Sequence, residues 1–372
     1  MATQKQSLNK ALSAAGIEID GPNPWDPQVS DERVYNRVMA GGSLAAGESY
    51  MDGWWHVDDL AELFSRLMRA QTQKKFSANL ETLWYVVRAK LLNLQSRSRA
   101  TQVAEAHYDL GHDIYEPMLG ESMVYTCAYW DGTDDLTEAQ YKKLDLVCRK
   151  IGLKKGDRVL DIGCGFGAFA KFAAEKYGAH VVGTSVSRGQ IAFAKEHTKG
   201  LPVEIRFEDY RATHDGPYDH IVSIGMFEAV GDKNFRTFME KAFELLKPGG
   251  HFLLHTIGQN VSSAEGDPWI EKYIFPNGML PSIAQIGRSI EGLFVMEDWH
   301  NFGPYYDKTL LAWFKNFDKA WPSLKEKYGD RFYRMWKYYL LMCAGSFRAR
   351  HNQLWQIVLT KGGTPGVYTT VR

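Results

Sequence analysis

The sequence predicts an α/β protein with a doubly wound, mostly parallel sheet and a small helical domain in front of it. Short apolar runs of strand length alternate with helical segments from about residue 140 onward. A glycine-rich turn directly follows the first of these strands, at residues 163–167. Before them, residues 79–94 carry apolar side chains at three- and four-residue intervals, which is typical of an amphipathic helix.

The alternating pattern places each element in order. Strands are expected at 157–163, 180–184, 203–207, 219–225 and 251–257, followed by 294–300 and 354–361. Helices are expected at 168–178, 188–197 and 234–250, and within 307–350. The carboxyl ends of parallel strands form the edge at which such sheets bind ligands.

Size and composition indicate a globular protein with room for a large and a smaller domain. The chain has 372 residues, of which 45% are hydrophobic and 24% are charged, and its formal net charge is zero. This balance excludes a disordered chain and a protein that coats nucleic acid through its overall charge. A charge-driven partner is therefore expected only at a local patch.

Charge changes sign along the first hundred residues. Residues 1–65 carry ten acids and four bases, whereas residues 66–99 carry eight bases and one acid. The basic helix expected at 79–94 suits an anionic membrane surface, although an ordinary helix with a solvated basic face explains the pattern slightly better. The polar run at 96–102 favours a domain boundary, which gives a helical domain at residues 1–95 and a larger domain at 96–372.

The cysteines and the first residues indicate the compartment. Cys127, Cys148, Cys164 and Cys343 show no CxxC spacing, and the opening MATQKQSLNK lacks the apolar core of a signal peptide. A reducing cytoplasm is therefore expected. No segment approaches the roughly 20 apolar residues that span a bilayer, so a lipid substrate is expected to be handled from the membrane surface.

The segment VLDIGCGFGA, residues 159–168, is a strand followed by a tight glycine turn and the start of a helix. Its glycines let the backbone approach a ligand closely. The segment also fits the dinucleotide pattern G-x-G-x-x-A, so a nicotinamide-dependent dehydrogenase is an alternative. However, residues 183–190 lack the acid that would hold the ribose of a dinucleotide. Asp161 before the first glycine and LKPGG before a later strand resemble S-adenosylmethionine methyltransferases instead.

Longer strings make the resemblance specific over nearly the whole chain. They are GESYMDGWW (47–55), HYDLGHDIY (107–115), YTCAYW (125–130), DIGCGFG (161–167), SIGMFEAVG (223–231), LLHTIG (253–258), KYIFPNGMLPS (272–282), EDWHNFGPYYDKTLLAW (297–313) and CAGSFRAR (343–350). The sequence is similar to the family of bacterial cyclopropane fatty acid synthases and mycolic acid cyclopropane synthases. The resemblance implies a class I S-adenosylmethionine methyltransferase fold. It also implies transfer of a methylene from S-adenosylmethionine to the cis double bond of an unsaturated phospholipid acyl chain.

The resemblance implies how such a reaction proceeds and which residues carry it. A methylated alkene is a carbocation, which aromatic side chains stabilise and which a bound bicarbonate ion deprotonates to close the ring. The residues expected around the ion and the acyl chain are Glu228, His255, Tyr306, Cys127 and Cys343. A nucleophilic role for Cys127 is not expected, because no covalent enzyme intermediate is needed.

The resemblance also assigns the binding of the methyl donor. The residues expected at its amino-acid end are Tyr125, Thr126, Asp161, Gly163 and Gly165. Ser185 and Gln190 are expected near the ribose, and Asp209 and Tyr210 at the adenine. No metal is expected, because His107, Asp109 and His112 have no compatible ligands around them in the sequence.

Partners and compartment follow from the same resemblance and the basic segment. The resemblance implies a homodimer, and its N-terminal domain is expected to associate peripherally with the inner, anionic face of a phospholipid membrane. No nucleic-acid partner is expected. Two alternatives stay open: the same fold acting on another acceptor, such as an amine, or leaving a methyl branch; and a lipid-binding protein whose donor site has decayed.

Four positions depart from the usual pattern of the family. Thr126 replaces serine, Phe166 replaces tryptophan and Ser185 replaces threonine, and each keeps the chemistry or the bulk of the usual residue. Ala229 is the more consequential departure, because a histidine normally follows the glutamate at this point.

Overall fold

The structure, a computed structural model, describes residues 4–70, 111–263 and 266–372. The amphipathic helix expected at 79–94 and the domain boundary expected between residues 95 and 96 lie outside the described residues and stay predictions. Among the helices of the described ranges, none is both long and apolar enough to cross a membrane.

Helices and strands occur in the following order in the described residues. The helices are α1 (Gln4–Ser13), α2 (Arg33–Met51), α3 (Leu60–Arg69), α4 (His112–Leu119), α5 (Leu136–Lys150), α6 (Ala168–Tyr177), α7 (Arg188–His197), α8 (Asp232–Leu245), α9 (Pro268–Tyr273), α10 (Ile283–Ile290) and α11 (Pro304–Arg348). The strands are β1 (Gln28–Val29), β2 (Trp55–His56), β3 (Arg158–Ile162), β4 (His180–Ser185), β5 (Val203–Phe207), β6 (Tyr218–Ile224), β7 (Leu246–Gln259), β8 (Val295–Asn301) and β9 (Asn352–Thr360). Non-helical glycines interrupt α2 at Gly42 and α11 at Gly329.

The first of two compact units is mainly helical. Its described residues are 4–70 together with 266–276 and 306–352. Aromatic rings join these segments: Tyr338 of α11 lies 4.6 Å from Trp269 of α9 and 5.3 Å from Tyr50 of α2, measured between ring centroids. Two segments from the second half of the chain thus complete a unit that the sequence analysis assigned to the first 95 residues alone.

The second unit holds the expected mostly parallel sheet. Within its described residues the sheet has seven strands in the order β5-β4-β3-β6-β7-β9-β8. The pairs β5–β4, β4–β3, β3–β6 and β6–β7 are parallel, and β8 pairs with β9 antiparallel. From β3 the chain continues through β4 and β5 toward one edge of the sheet, whereas from β6 it continues through β7 toward the other edge. The carboxyl ends of β3 and β6 therefore form the switch point at which such sheets bind ligands.

Both faces of this sheet are buried, which explains its apolar strands. Leu160 of β3 belongs to the core beneath α8 and α10, whereas the neighbouring Val159 belongs to the core beneath α5, α6 and α7. Successive side chains of a strand point to opposite faces, so a strand covered on both sides must be apolar throughout. The α/β class expected from the sequence is confirmed.

One expected helix ends earlier than its sequence pattern indicated. The helix expected at 234–250 runs from Asp232 to Leu245, and the segment LKPGG opens β7 instead. Pro248 has no backbone N–H to donate within a helix, and Gly249 adopts φ 74°, outside the helical region. At these residues the pairing of β7 with β6 is interrupted, and its register shifts between Tyr218 and His220.

Candidate active site

Two glycines bring three loops together at the carboxyl edge of the sheet. Gly163, directly after β3, has φ 85°, and a Cβ there would lie 2.6 Å from Met226 Cβ. Gly225, directly after β6, has φ 72°, and a Cβ there would lie 2.6 Å from Thr126 Cγ2. Only glycine permits both the left-handed backbone and the close approach. The turns after β3 and β6 and the loop of Thr126 therefore form one site.

Asp161 is a buried acid at the end of β3. Its side chain is almost fully buried, and its Oδ2 atom has no hydrogen-bond partner among the described residues. Burial raises the pKa of Asp161 to about 7, and the nearby cation of Lys143 opposes this rise. A buried, unpaired carboxylate oxygen costs free energy unless a ligand meets it, so Asp161 fits a cationic or N–H-bearing ligand group.

Lys143 of α5 is a residue of this site that the sequence analysis missed. It is buried, and its Nζ donates a hydrogen bond to Thr126 Oγ1 at 2.8 Å. Burial lowers the pKa of Lys143 to about 8, although Cys127 and Asp161 favour the charged form. The sequence does indicate that Lys143 is buried, because position 143 falls on the same helical face as the apolar positions 139, 146 and 147. A lysine on a buried helix face requires polar partners.

Two residues expected near the ribose are brought together by β4 and α7. Ser185 Oγ lies 3.3 Å from Gln190 Oε1 and donates to it, and Ser187 caps the helix by accepting from Gln190 N at 3.3 Å. Gly165 lies beside this pair, since a Cβ there would be 3.9 Å from Gln190 Nε2. Ser185, Gln190 and Gly165 therefore share one side of the loop after β3.

The two residues expected at the adenine follow β5. Asp209 caps a short 3₁₀ turn, Tyr210–Ala212, and both of its carboxylate oxygens accept from the Arg211 guanidinium at 2.8 Å. Tyr210 is buried against Phe238 with 5.0 Å between ring centroids, and burial raises its pKa to about 12. A ligand that approaches Asp209 thus meets a carboxylate already paired with Arg211.

Glu228 lies on a 3₁₀ turn that follows β6, at residues Phe227–Ala229. Its Oε1 accepts from the backbone N–H of Ile257 at 2.6 Å, whereas its Oε2 is shielded from solvent and has no partner among the described residues. Burial raises the pKa of Glu228 to about 7, although the hydrogen bonds from Ile257 and Thr256 favour the charged form. The adjacent Ala229 is exposed.

His255 lies on β7, next to the end of β6. Its backbone oxygen accepts from Gly225 N at 2.8 Å, and its ring is almost fully buried. Nδ1 lies 3.3 Å from Gln356 Nε2, whereas the ring's Nε2 has no partner among the described residues. Burial, together with the cations of Lys143 and Lys150, lowers the pKa of His255 well below its usual value. The imidazole is therefore neutral near pH 7.

The remaining candidates fall into both units. Cys127 is fully buried in the second unit, where its thiol donates to Ala128 O at 3.3 Å. Tyr306 and Cys343 belong to the first unit. There Tyr306 packs on Phe347 at 4.6 Å between ring centroids, and burial raises the pKa of Cys343 to about 12. The thiol of Cys343 is therefore un-ionised near pH 7.

Aromatic rings pack beside the loop of Thr126 and the turn after β3 within the second unit. Tyr125 packs on Tyr115 at 5.2 Å, and Tyr115 packs on Phe166 at 5.5 Å, between ring centroids. Tyr129 contacts Tyr305 at 5.4 Å in a T-shaped arrangement. Phe227, another aromatic residue near Glu228, instead stacks on Phe235 within the core at 4.2 Å.

Comparison with known proteins identifies the family. The family model described as mycolic acid cyclopropane synthetase matches residues 95–357. The cyclopropane-fatty-acyl-phospholipid synthase of Escherichia coli (strain K12) is 49% identical over 359 residues, which cover 96% of this chain and 94% of the relative.

Solved structures agree with this result. A cyclopropane synthase from Mycobacterium tuberculosis superimposes with a TM-score of 0.67 at 28% identity, over 73% of this chain and 100% of that chain. A mycolic acid cyclopropane synthase complexed with SAH and CTAB gives a TM-score of 0.66 at 31% identity, over 70% of this chain and 98% of that chain. The chain therefore belongs to the mycolic acid cyclopropane synthetase family and is an S-adenosylmethionine-dependent methyltransferase.

Proposed function

We propose that this enzyme converts the cis double bond of an unsaturated phospholipid acyl chain into a cyclopropane ring, with S-adenosylmethionine as the donor of the added carbon. The observation that carries the proposal is the 49% identity to a cyclopropane-fatty-acyl-phospholipid synthase over 96% of this chain. In the balanced reaction, the donor's methyl group bonds to one alkene carbon and S-adenosylhomocysteine leaves. One proton is then lost from the added methyl group as its carbon bonds to the second alkene carbon.

The donor is proposed to bind along the turn after β3. Asp161 Oδ2, buried and without a partner among the described residues, is suited to the ammonium group of its amino-acid end. Tyr125, Thr126, Gly163 and Gly165 are proposed to contact the same end, and Ser185 and Gln190 the ribose. Asp209 and Tyr210 are proposed to meet the adenine. Support comes from the relative that was solved with SAH, the donor after loss of its methyl group.

A bicarbonate ion is proposed to bind beside Glu228 and His255, where it supplies the base that removes the proton. The residues fit a small anion with donor and acceptor oxygens. Glu228 Oε2 and His255 Nε2 are both shielded polar atoms without partners among the described residues. With a pKa raised to about 7, the Glu228 carboxyl is able to carry a proton and donate to an anion. Cys127, Tyr306 and Cys343 are proposed to complete the surroundings of the ion and the acyl chain.

The reaction requires a dry site with aromatic walls. Water would convert a carbocation into an alcohol, whereas aromatic faces stabilise positive charge without reacting. Tyr129 supplies such a face, and it packs at right angles to Phe302 at 5.3 Å between ring centroids. The relative solved in complex with CTAB supports the proposal that this enzyme binds an elongated apolar chain, because CTAB is a cationic detergent with a long alkyl chain.

The enzyme is proposed to work as a homodimer at the inner, anionic face of a phospholipid membrane. The eight bases among residues 66–99 support the contact with an anionic surface, and the dimer rests on the family resemblance. Flotation with anionic and with neutral vesicles tests the membrane contact, and light scattering tests the dimer.

Product analysis tests the function. The protein is incubated with S-adenosylmethionine, bicarbonate and vesicles of a cis-monounsaturated phospholipid, and the acyl chains are analysed by mass spectrometry and proton NMR. A gain of one methylene, with loss of vinyl protons and appearance of ring protons, is expected. Unreacted lipid alongside tight donor binding would contradict the proposed acceptor and would favour another one.

A further inference from the structure

The contact between Gln356 and His255 decides which nitrogen of the histidine carries its proton. Gln356 lies on β9 and is fully buried, and its side-chain Nε2 lies 3.3 Å from His255 Nδ1. An amide nitrogen can only donate, so Nδ1 must accept. A neutral imidazole has one N–H, which is then on Nε2.

The orientation of the Gln356 amide follows from the groups around it. In the observed orientation, its Oε1 is a buried acceptor without a partner among the described residues. The reverse orientation would place the NH₂ group, with two donors, at that same position. Buried N–H groups without partners are rarer in proteins than under-satisfied carbonyl oxygens, so the observed orientation costs less.

The neutral state of His255 does not depend on Gln356 alone. Its ring is almost fully buried, and Phe302 lies 5.9 Å away between ring centroids. The cations of Lys143 and Lys150 are both close enough to oppose a charge on the ring. His300, which pairs with Gln356 between β8 and β9, accepts through Nδ1 from Lys150 Nζ across 3.1 Å. The imidazole is thus held neutral while one nitrogen is occupied by an amide donor.

The other nitrogen then has a defined chemistry. His255 Nε2 is shielded from solvent and has no partner among the described residues. A nitrogen that carries a hydrogen donates to an oxygen acceptor and cannot take up a proton. We propose that Gln356 is a positioning residue that keeps His255 as the Nε2–H tautomer, so that His255 donates a hydrogen bond to an anion oxygen and does not act as the base. This inference rests on the proposed function for the identity of that anion.

The tautomer is measured directly by NMR on the full-length protein with ¹⁵N-labelled histidine. Two-bond proton–nitrogen correlations distinguish Nε2–H from Nδ1–H imidazoles. The signals of His255, one of 11 histidines, are assigned by their loss in His255→Asn. The wild-type protein is expected to show Nε2–H at His255, and an Nδ1–H signal would overturn the proposal.

Two substitutions at 356 and one control extend the test. Gln356→Leu removes the donor, so His255 is expected to sample both tautomers. The kcat is expected to fall about tenfold or more, the size of effect known for partners that orient metal-ligating histidines, with the KM for the donor within about twofold. Gln356→Glu supplies an acceptor in place of the donor, so the hydrogen is expected to move to Nδ1 and kcat is expected to fall as well.

Gln353→Leu is the matched control, because it makes the same change on the same strand. Gln353 accepts from Asn301 Nδ2 at 3.0 Å, and its variant is expected to keep the wild-type tautomer and kcat. An unchanged tautomer and kcat in Gln356→Leu and Gln356→Glu would overturn the proposal. The tautomer is measured without lipid, so it tests the role of Gln356 independently of the product assay. Phospholipid left unreacted by the wild-type protein would overturn the proposed function and not the role of Gln356.

Discussion

The sheet of the second unit carries acids at both ends of its strands, and the two ends treat them differently. At the amino end of β6, Asp219 accepts from the backbone N–H of Arg158 at 2.9 Å and pairs with Lys247 at 2.5 Å. At the carboxyl edge, Asp161 Oδ2 and Glu228 Oε2 have no partners among the described residues. The same sheet therefore pairs its acids at one end and leaves acid oxygens unpaired at the other.

The pKa directions follow this difference. Burial acts to raise the pKa of Asp219, but Lys247 and the Arg158 N–H outweigh it and hold the pKa below its usual value. Burial dominates at the other end and raises the pKa values of Asp161 and Glu228 to about 7. Unpaired buried acids destabilise the fold, so their presence at a ligand-binding edge indicates a role in binding or catalysis. Paired acids at the amino end stabilise the fold instead.

The largest expected effect is on turnover. Glu228→Gln keeps the size of the side chain and removes the acid, so kcat is expected to fall about a hundredfold to a thousandfold in the product assay. Asp219→Asn, the matched change at the amino end, is expected to keep kcat within about twofold. Equal losses of kcat in the two variants would show that the acids at the two ends of the sheet do not differ in their importance for catalysis.

Stability should respond to pH in opposite ways at the two ends. The pKa of Glu228 rises from 4.5 in its ordinary state to about 7 in the fold. Between these values the folded protein keeps a proton that the unfolded chain releases, so the free energy of unfolding falls as pH rises. Glu228→Gln removes this penalty. Its free energy of unfolding, relative to the parent, is expected to increase by up to about 3 kcal/mol between pH 5 and pH 8.

Urea unfolding at several pH values measures this difference. Asp219→Asn is again the control: its pKa lies below the ordinary 3.8, so its difference from the parent is expected to stay constant between pH 5 and pH 8. A difference for Glu228→Gln that does not change with pH would mean that the carboxyl titrates normally in the fold.

Donor affinity should depend on the other unpaired acid. Asp161→Asn removes a charge proposed to meet the donor's ammonium group, so the Kd for S-adenosylmethionine is expected to rise about tenfold or more. Isothermal titration calorimetry measures this change, and Asp219→Asn is expected to leave the Kd unaltered. A donor Kd unchanged by Asp161→Asn would remove Asp161 from the proposed site.

The smallest expected effect is the loss of stability at the amino end. Asp219→Asn weakens a partly exposed ion pair and a hydrogen bond, so the free energy of unfolding near pH 7 is expected to fall by about 1 kcal/mol. The wild-type contribution is present above pH 3.8 and is lost as pH falls through the lowered pKa of Asp219. Urea unfolding near pH 7 measures it, and a more stable variant would contradict the stabilising role.

Local patterns predicted the strands and the glycine turn because these depend on neighbouring residues. The run at 157–163 is β3, and Gly163 has the left-handed backbone that a tight turn requires. Other features depend on residues far apart in the sequence. The proposed role of Gln356 depends on its contact with His255, which lies 101 positions away in the sequence. Likewise, the first unit includes residues 306–352 from the second half of the chain. A single sequence does not reveal such contacts.

The same limit explains which residues of the site could be predicted from the sequence. Asp161 and Glu228 were found because short strings around them resemble a family. Lys143 carried a signal in its helical spacing, but its partner Thr126 lies on a loop 17 positions earlier. The helix expected to reach residue 250 shows the opposite case, because it ends at Leu245, just before the local Pro248, Gly249 and Gly250 whose effect the expectation left out.

A donor whose transferred methyl group carries three deuterium atoms distinguishes ring closure from simple methylation. The protein is incubated with this donor, bicarbonate and vesicles of a cis-monounsaturated phospholipid, and the product is analysed by mass spectrometry and NMR. Ring closure after loss of one deuteron predicts a cyclopropane whose added carbon retains two deuterium atoms. A product that retains all three in a methyl branch, or lipid that stays unreacted, would contradict the account.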